Sequence, residues 1–487
     1  MGSTRTTEPG HGRQLLVLAI CCLGVLLVSL DTTILNVALP AIRQDLNSSA
    51  TGLQWTLDAY TIVLAALLTP AGSAADRLGR KRVFRLGLML FTVGSTLCSL
   101  APTTGWLVAF RTVQAAGGSM LTPVAMAVLA HAFPHPHERA RAIGAWGAVV
   151  GLSMAAGPVL GGLLVQSAGW RSVFWVNVPI GLAALLLTTL HIPESRAPHP
   201  RRPDPVGQVL VTVVLGTLTY ALIEGPGAGW TSPLVVAGLM VAAGALAGLV
   251  PYESRRDEPL IDPRLFRSVP FSGAMATAVF AFAALSGFLF ANSVYLQGDL
   301  GLSPLDTGLR LLPMAAMSLL CPPLSGRIVG SRGPRVPLLI AGAGMSSSGA
   351  LAALVTRSPH PSPLLLSLTY ALFGLGFGFV NAPVTNTAVA GLPSAQAGVA
   401  ASIAATSRQV GAALGIAVIG AAAASGARPA AWWAITGCGL AVAALAVGTA
   451  RRTAAAPPPT KGSPIGPGSA PARRAAPGRG ADLREAP

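Results

Sequence analysis

Gly72-Ser73-Ala74-Ala75-Asp76-Arg77-Leu78-Gly79-Arg80-Lys81-Arg82 is echoed later in the chain by Gly326-Arg327-Ile328-Val329-Gly330-Ser331-Arg332-Gly333-Pro334-Arg335. Gly72 aligns with Gly326, Gly79 with Gly333 and Lys81 with Arg335. Each copy follows a long apolar block, and each is basic. Basic loops are retained on the cytoplasmic side of a membrane. Two copies on one side therefore imply two parallel half-molecules. The copies follow the second and tenth apolar blocks, whereas two six-block halves would place them six apart. An extra pair is inserted between the halves, and blocks seven and eight are its natural place.

Working outward, hydropathy places spans at 14–37, 53–75, 83–100, 105–130, 140–165, 172–191, 207–224, 233–251, 270–292, 305–329, 336–356, 363–386, 397–423 and 430–450. Each approaches the ~20 residues that cross a ~30 Å hydrocarbon layer. The expected fold is thus an all-α membrane protein of fourteen spans, two six-helix bundles plus two inserted central helices. Its parts are a cytoplasmic N-tail at 1–13, an N-terminal bundle at 14–191, and a linker with the inserted spans at 192–251. A cytoplasmic loop at 252–269, a C-terminal bundle at 270–450 and a disordered cytoplasmic tail at 451–487 complete it. The tail is rich in Pro, Ala, Gly and Arg, with no apolar period.

Bulk properties agree with this reading. Of the 487 residues, 52% are hydrophobic and 10% charged, and the mean hydropathy is +0.62. A soluble domain carries roughly 25% charged residues. The net charge of +16 would suit nucleic acid, but the basic residues concentrate in every second loop and in the tails. Only Arg43, Arg171, Arg310, Arg357 and Arg428 fall on the opposite side, and Arg111 and Arg408 fall within spans. This is the positive-inside pattern, so both termini are expected in the cytoplasm and no nucleic-acid partner is expected. The first apolar stretch runs past Asp31 to Pro40, too long for a cleaved signal peptide. Cys21, Cys22, Cys98, Cys321 and Cys438 all lie in apolar blocks, without pairing or metal spacing. His135-Pro136-His137 is too sparse for a metal centre, and no metal is expected.

Ionisable side chains inside a bilayer are costly, which makes them functional candidates. Asp31, Asp58, Arg111 and Arg408 are such residues, while Glu224 reads as a solvated end of its span. Asp31, Asp58 and Arg111 each lie five or six residues from the outer end of a span, roughly 7–10 Å deep at 1.5 Å per residue. Groups at one depth can pair, and a carboxylate balanced between pairing and desolvation suits proton coupling. A purely structural ion pair or a water-filled vestibule would place the same residues there. Arg408, near mid-membrane, is open to three roles: substrate contact, salt bridge, or bonding to broken-helix carbonyls. Gln114 and Gln409 are the other intramembrane polar residues noted.

In the repeated loop, Gly72 is read as allowing close helix approach. Asp76 is read as a latch between a neighbouring helix N-terminus and the cluster of Arg77, Arg80, Lys81 and Arg82. Topology by positive charge alone accounts for the basic residues but not for Gly72 and Gly79. Span five contains Gly147, Gly151, Gly157, Pro158, Gly161 and Gly162. Two Gly-x-x-x-Gly spacings predict a flat packing face, and Pro158 predicts a kink. There is no Walker Gly-x-x-x-x-Gly-Lys and no loop the size of a catalytic domain, so no enzyme activity is expected.

Taken together these residues resemble the major facilitator superfamily, and within it the fourteen-span drug:proton antiporters. The resemblance extends to about residue 450. It rests on Leu30-Asp31-Thr32-Thr33-Ile34-Leu35-Asn36-Val37-Ala38-Leu39-Pro40, on Gln54-Trp55 to Tyr60, and on the Gly72–Arg82 loop. It continues through Arg111-Thr112-Val113-Gln114, Gly157-Pro158-Val159-Leu160-Gly161-Gly162 and Trp170 to Pro179. Pro259-Leu260, Leu265-Phe266, Tyr295-Leu296-Gln297 and Arg408-Gln409-Val410-Gly411 complete it. The span-five Gly-Pro element resembles that of exporters rather than importers. The resemblance implies that Asp31 takes part in proton coupling, Arg111 in proton relay, and span five in antiport without leak. Ala115 stands where the family usually has Gly, and Ala74 where it usually has Leu, so altered packing is expected. Gly330 replaces the acid of the loop in the second copy, which leaves the latch to one half.

The expected function is alternating-access antiport, with protons moving inward and an amphipathic small molecule outward. It needs no cofactor and is driven by the proton gradient, in a monomer of the bacterial cytoplasmic membrane. A narrow-specificity metabolite exporter or an importer of the same superfamily is the alternative. A membrane scaffold, sensor or embedded enzyme is the reading from another class.

Overall fold

The computed structural model describes residues 11–196, 204–256, 259–390, 394–424 and 428–455. The N-tail before residue 11, linker residues 197–203 and the tail beyond 455 lie outside the described residues. Among those described, the long helices in chain order are α1 (His11–Asp45), α2 (Ala50–Leu78), α3 (Arg80–Ser99), α4 (Thr104–Ala132) and α5 (Pro136–Ala168). Next come α6 (Ser172–His191), α7 (Pro205–Ala228), α8 (Pro233–Ser254), α9 (Val269–Asp299) and α10 (Pro304–Arg332). The last four are α11 (Arg335–Val355), α12 (Pro363–Ala388), α13 (Ser394–Ala424) and α14 (Arg428–Ala455). Twelve helices are long and apolar enough to cross a membrane among the described residues. The bent pair Arg141–Met154 and Ala156–Ala168, within α5, makes a thirteenth if counted as one span.

Every helix covers a hydropathic block, and most are longer than the block. The largest difference is α1, expected to end at residue 37 but continuing through Pro40 to Asp45. A proline costs a helix one hydrogen bond, and close packing of Leu35, Ala38, Leu39 and Ile42 in the core outweighs that loss. Turns are cut by short polar caps. The side chains of Ser49, Thr103, Asp204 and Ser303 accept from the amides of Gly52, Trp106, Gly207 and Asp306 at the starts of α2, α4, α7 and α10. These caps satisfy amides that a helix leaves unpaired.

The repeated loop has a structural reason. Gly79 has φ +112° and Gly333 φ +76°, backbone that side chains rarely adopt, so both copies end one helix and start the next at a glycine. Residues 72–82 define the loop end of the bundle, and the opposite end is the far end.

Helices α1–α6 and α9–α14 pack as two groups that share one large apolar core. The inserted α7 and α8 pack on each other, and α7 lies along α2. Gln208 at the start of α7 donates to Ala66 O (2.5 Å), and Trp55 Nε1 donates to Glu224 Oε1 (3.0 Å) at its end. Glu224 is thereby bonded to α2 rather than simply solvated. Leu234, Leu239, Met240 and Leu246 on α8 point outward, as lipid-facing side chains do.

The halves touch at the far end. Gln54 Nε2 (α2) donates to Ile416 O (α13, 3.1 Å), Ser293 Oγ (α9) to Asn36 O (α1), and Gln297 Nε2 (α9) to Val37 O (α1, 2.9 Å). Both contacting stretches of the second half, Val294–Asp299 and Ile416–Gly420, are π-helical. Such turns loosen the regular ladder and recur at functional places.

Candidate functional site

The ionisable residues foreseen in the spans separate into three environments. Asp31 and Arg111 meet. Both are 1% exposed, and Arg111 Nη1 lies 2.5 Å from Asp31 Oδ2. Gln114 Nε2 and Asn177 Nδ2 donate to the other oxygen, Oδ1, at 2.8 and 3.2 Å. Arg111 Nη1 also reaches Gln114 Oε1 (2.8 Å), and its Nε donates to Thr56 O (3.2 Å). The guanidinium lies 4.0 Å over the Tyr60 ring. Ser95 Oγ accepts from Asn177 (3.1 Å) and donates to Phe174 O (2.9 Å), fixing the Asn177 amide.

The local sequence explains this convergence. Arg111 and Gln114 are three apart on α4, so they share one face and brace each other. Asp31 interrupts the apolar run of α1 at the level of Tyr60 on α2. Asn177 begins the second segment of α6, after a short turn that follows Trp175. Four helices thus hold one ion pair away from water. A buried pair is tolerated only when its remaining lone pairs and protons are also satisfied, and here both carboxylate oxygens are.

Asp58 does not join this cluster. It is fully buried, its Oδ1 accepts from Thr61 Oγ1 (3.3 Å), and its Oδ2 has no partner. The equal depth expected of Asp31, Asp58 and Arg111 therefore does not bring all three together, and Asp58 is not solvated. Gln54, Asp58 and Ile62 recur every four residues on α2. Gln54 bonds α13, and Ile62 lines a pocket with Leu218 of α7 and Gln409 of α13, so Asp58 lies on the face turned to α13.

Arg408 is the third case. It is half-buried, and its Nη2 donates to Thr385 Oγ1 on α12 (3.0 Å). No carboxylate lies within 4.0 Å among the described residues.

The loop motif is held within its own half. Asp76 pairs with Arg80 (3.2 Å), Arg80 Nη1 donates to Ala127 O (3.3 Å), and Lys81 Nζ to Thr189 O (2.9 Å). Glu194, which sequence reasoning did not single out, caps α3 from a distance. Its Oε1 accepts from the Lys81 amide (3.1 Å), and its Oε2 is 3.6 Å from Arg82 Nε. A Cβ on Gly79 would strike this carboxylate. Gly72 needs no such explanation, because a Cβ there would meet only Pro123, at an ordinary 3.8 Å. The expected close helix approach at Gly72 is corrected accordingly. Of the expected Asp76 latch, the bond to the basic cluster is seen, to Arg80, and no bond to a neighbouring helix N-terminus is seen among the described residues.

In α5 the glycine face divides in two. A Cβ on Gly161 would come within 2.7 Å of Ile34 O, and one on Gly157 would strike Thr33, both on α1. On the other side, a Cβ on Gly162 would strike Pro304 O, and one on Gly308 would strike Pro158 O, so α5 and α10 touch backbone to backbone. Gly147 has nothing within 4 Å, and Gly151 has only Leu319, at 3.5 Å. The expected continuous face is therefore confined to Gly157–Gly162. The 41° bend between Met154 and Ala156 lies where Pro158 removes a hydrogen bond to the preceding turn. Beyond the bend the helices part. Gly144, Gly147, Gly326 and Gly330 have nothing within 4 Å, so α5 and α10 do not touch at these positions.

The Major Facilitator Superfamily model matches residues 21–416. Among curated proteins, the chain is 39% identical to the multidrug resistance protein Stp of Mycobacterium tuberculosis, over 84% of this chain and 75% of that protein. It is 38% identical to the tetracenomycin C resistance and export protein of Streptomyces glaucescens, over 86% and 78%. It is 34% identical to a methylenomycin A resistance protein of Streptomyces coelicolor, over 82% and 83%.

Proposed function

The chain belongs to the major facilitator superfamily, and from that premise we propose that it is a proton-coupled antiporter exporting amphipathic small molecules by alternating access. The observation that carries the proposal is the dry Asp31–Arg111 pair and its two amide donors. When Asp31 takes up a proton, Arg111 is left as a buried charge without a counter-ion. Such a charge costs several kcal/mol. Helices α1 and α4 must then rearrange until the guanidinium finds water or another acceptor, and this links protonation to the shape of the bundle. Proton coupling thus needs no cofactor, only the gradient. Export is supported by the names of the relatives and by the tight Gly157–Gly162 contact, which seals the far end.

The same proposal includes fourteen spans, α3 and α5 supplying the two that length and composition leave open. In α3, Arg80, Lys81, Arg82 and Arg85 occupy the first two turns and the rest carries no charge, so the basic side chains snorkel at the interface. The loop end is then cytoplasmic, with both termini, in a monomer of the bacterial cytoplasmic membrane. Everted vesicles carrying an imposed pH gradient test it, with tetracenomycin C and ethidium as probes. Addition of a probe that is cargo should collapse the gradient. Asp31→Asn should abolish the response, and retention of wild-type exchange by that variant would sink the coupling assignment.

A further inference from the structure

The Asp31 carboxylate is already neutralised by Arg111 and receives donors on both its oxygens, from Arg111, Gln114 and Asn177. Asp58 is closed off entirely. Of the charged residues within the spans, Arg408 is left as a cation with no carboxylate partner among the described residues. It stands near the middle of α13, with Nη2 on Thr385 and with Nε shielded from solvent and lacking a hydrogen-bond partner. Arginine does not shed its proton, so this charge is permanent. Its open side cannot face hydrocarbon at mid-span.

The surroundings say what it does face. Ala405, three residues earlier, packs against the core of the first half, which puts this part of α13 at the seam between halves. Thr385 and Asn386 beside it on α12 are exposed. Toward the loop end α5 and α10 no longer touch at Gly144, Gly147, Gly326 and Gly330, which leaves room at the seam. A permanent cation that no carboxylate neutralises attracts anions more strongly in low-dielectric surroundings than it would in bulk solvent.

We propose that Arg408 is a cargo-binding residue, and that the cargo it selects is an amphipathic anion bearing a carboxylate or phenolate. The guanidinium fork suits such a group, with the unpartnered Nε–H as one donor. Thr385 holds the side chain in place. This rests on the export reading above only in taking the space between the halves as the cargo site.

Equilibrium binding to the full chain in lipid nanodiscs tests it without reference to coupling. Matched probes are anthracene-9-carboxylate and anthracen-9-ylmethylammonium, followed by fluorescence titration at neutral pH. Wild type should prefer the carboxylate. Arg408→Gln should weaken the carboxylate by about ten-fold or more, as loss of a charge-assisted hydrogen bond does, and leave the ammonium unchanged or tighter. Arg408→Lys should retain most of the carboxylate affinity. An equal loss of both probes would assign Arg408 to packing or to Asp58 and overturn the proposal. So would unchanged carboxylate binding in Arg408→Gln, a wild-type preference for the ammonium, or no binding of either probe. If the carboxylate binds as expected while vesicles show no cargo-driven collapse of the pH gradient, the antiport reading fails and the subsite stands.

Discussion

Asp31 is held by donors from two other helices, and Arg111 reaches three acceptors at once: Asp31, Gln114 and the Thr56 carbonyl. A lysine has one ammonium on a flexible stem and cannot make this fork. Arg111→Lys should therefore fold but lose at least about ten-fold in proton-coupled exchange, since each degree of misplacement loosens the Asp31 response. Arg111→Leu should be less stable by roughly 3–5 kcal/mol, because it strands the carboxylate, whereas Asp31→Leu/Arg111→Leu should recover much of that. Thermal unfolding of purified protein separates the two, and a double variant no more stable than Arg111→Leu would contradict the ion-pair account. Asp31 and Arg111 were legible because charge in an apolar run is conspicuous. Asn177 is not legible in the same way, since an amide is a weaker signal and its distance from Asp31 in sequence hides the contact. Glu194 was illegible for a similar reason: it caps a helix that begins more than a hundred residues earlier.

At the level of elements, hydropathy located the helices because each must hide its backbone from lipid within itself. It did not locate the π-helical stretches of α9 and α13, Val294–Asp299 and Ile416–Gly420, which carry contacts across the seam and have no signal in composition. In α5 the glycine spacing was read as one face, although neighbours exist only beside Gly157–Gly162. The difference makes a prediction. Gly162→Val would push α5 from α10 at Pro304 and Leu305 without touching α1. It should prop the far end open, and cells or vesicles should leak protons in the absence of cargo. Gly147→Ala should leave the leak at the wild-type level and raise stability by about 0.5–1 kcal/mol, as an open helical glycine does on gaining a methyl. Leak from both variants alike would mean that the glycines act through helix flexibility instead of close contact.

Across the whole molecule, the two-half plan was written in the repeated loop, but the state of the gate was not, because it depends on which surfaces happen to touch. Gln54, Ser293 and Gln297 hold the far end shut through bonds to backbone carbonyls. Each such bond contributes on the order of 1 kcal/mol. Removing two therefore shifts the balance between states by roughly 2 kcal/mol, or about thirty-fold. The inserted helix α7 is bonded to α2 at both ends and lies beside α13 without such bonds among the described residues. It should consequently travel with the first half. Spin-label pairs report both motions in one experiment on Gln54→Leu/Gln297→Leu in nanodiscs. A pair joining the far ends of α1 and α9 should move to longer distances than in wild type, whereas a pair joining α7 and α2 should stay fixed. A label on α7 should separate from one on α13 as the gate opens, and if it follows α13 instead, the inserted pair belongs mechanically to the second half.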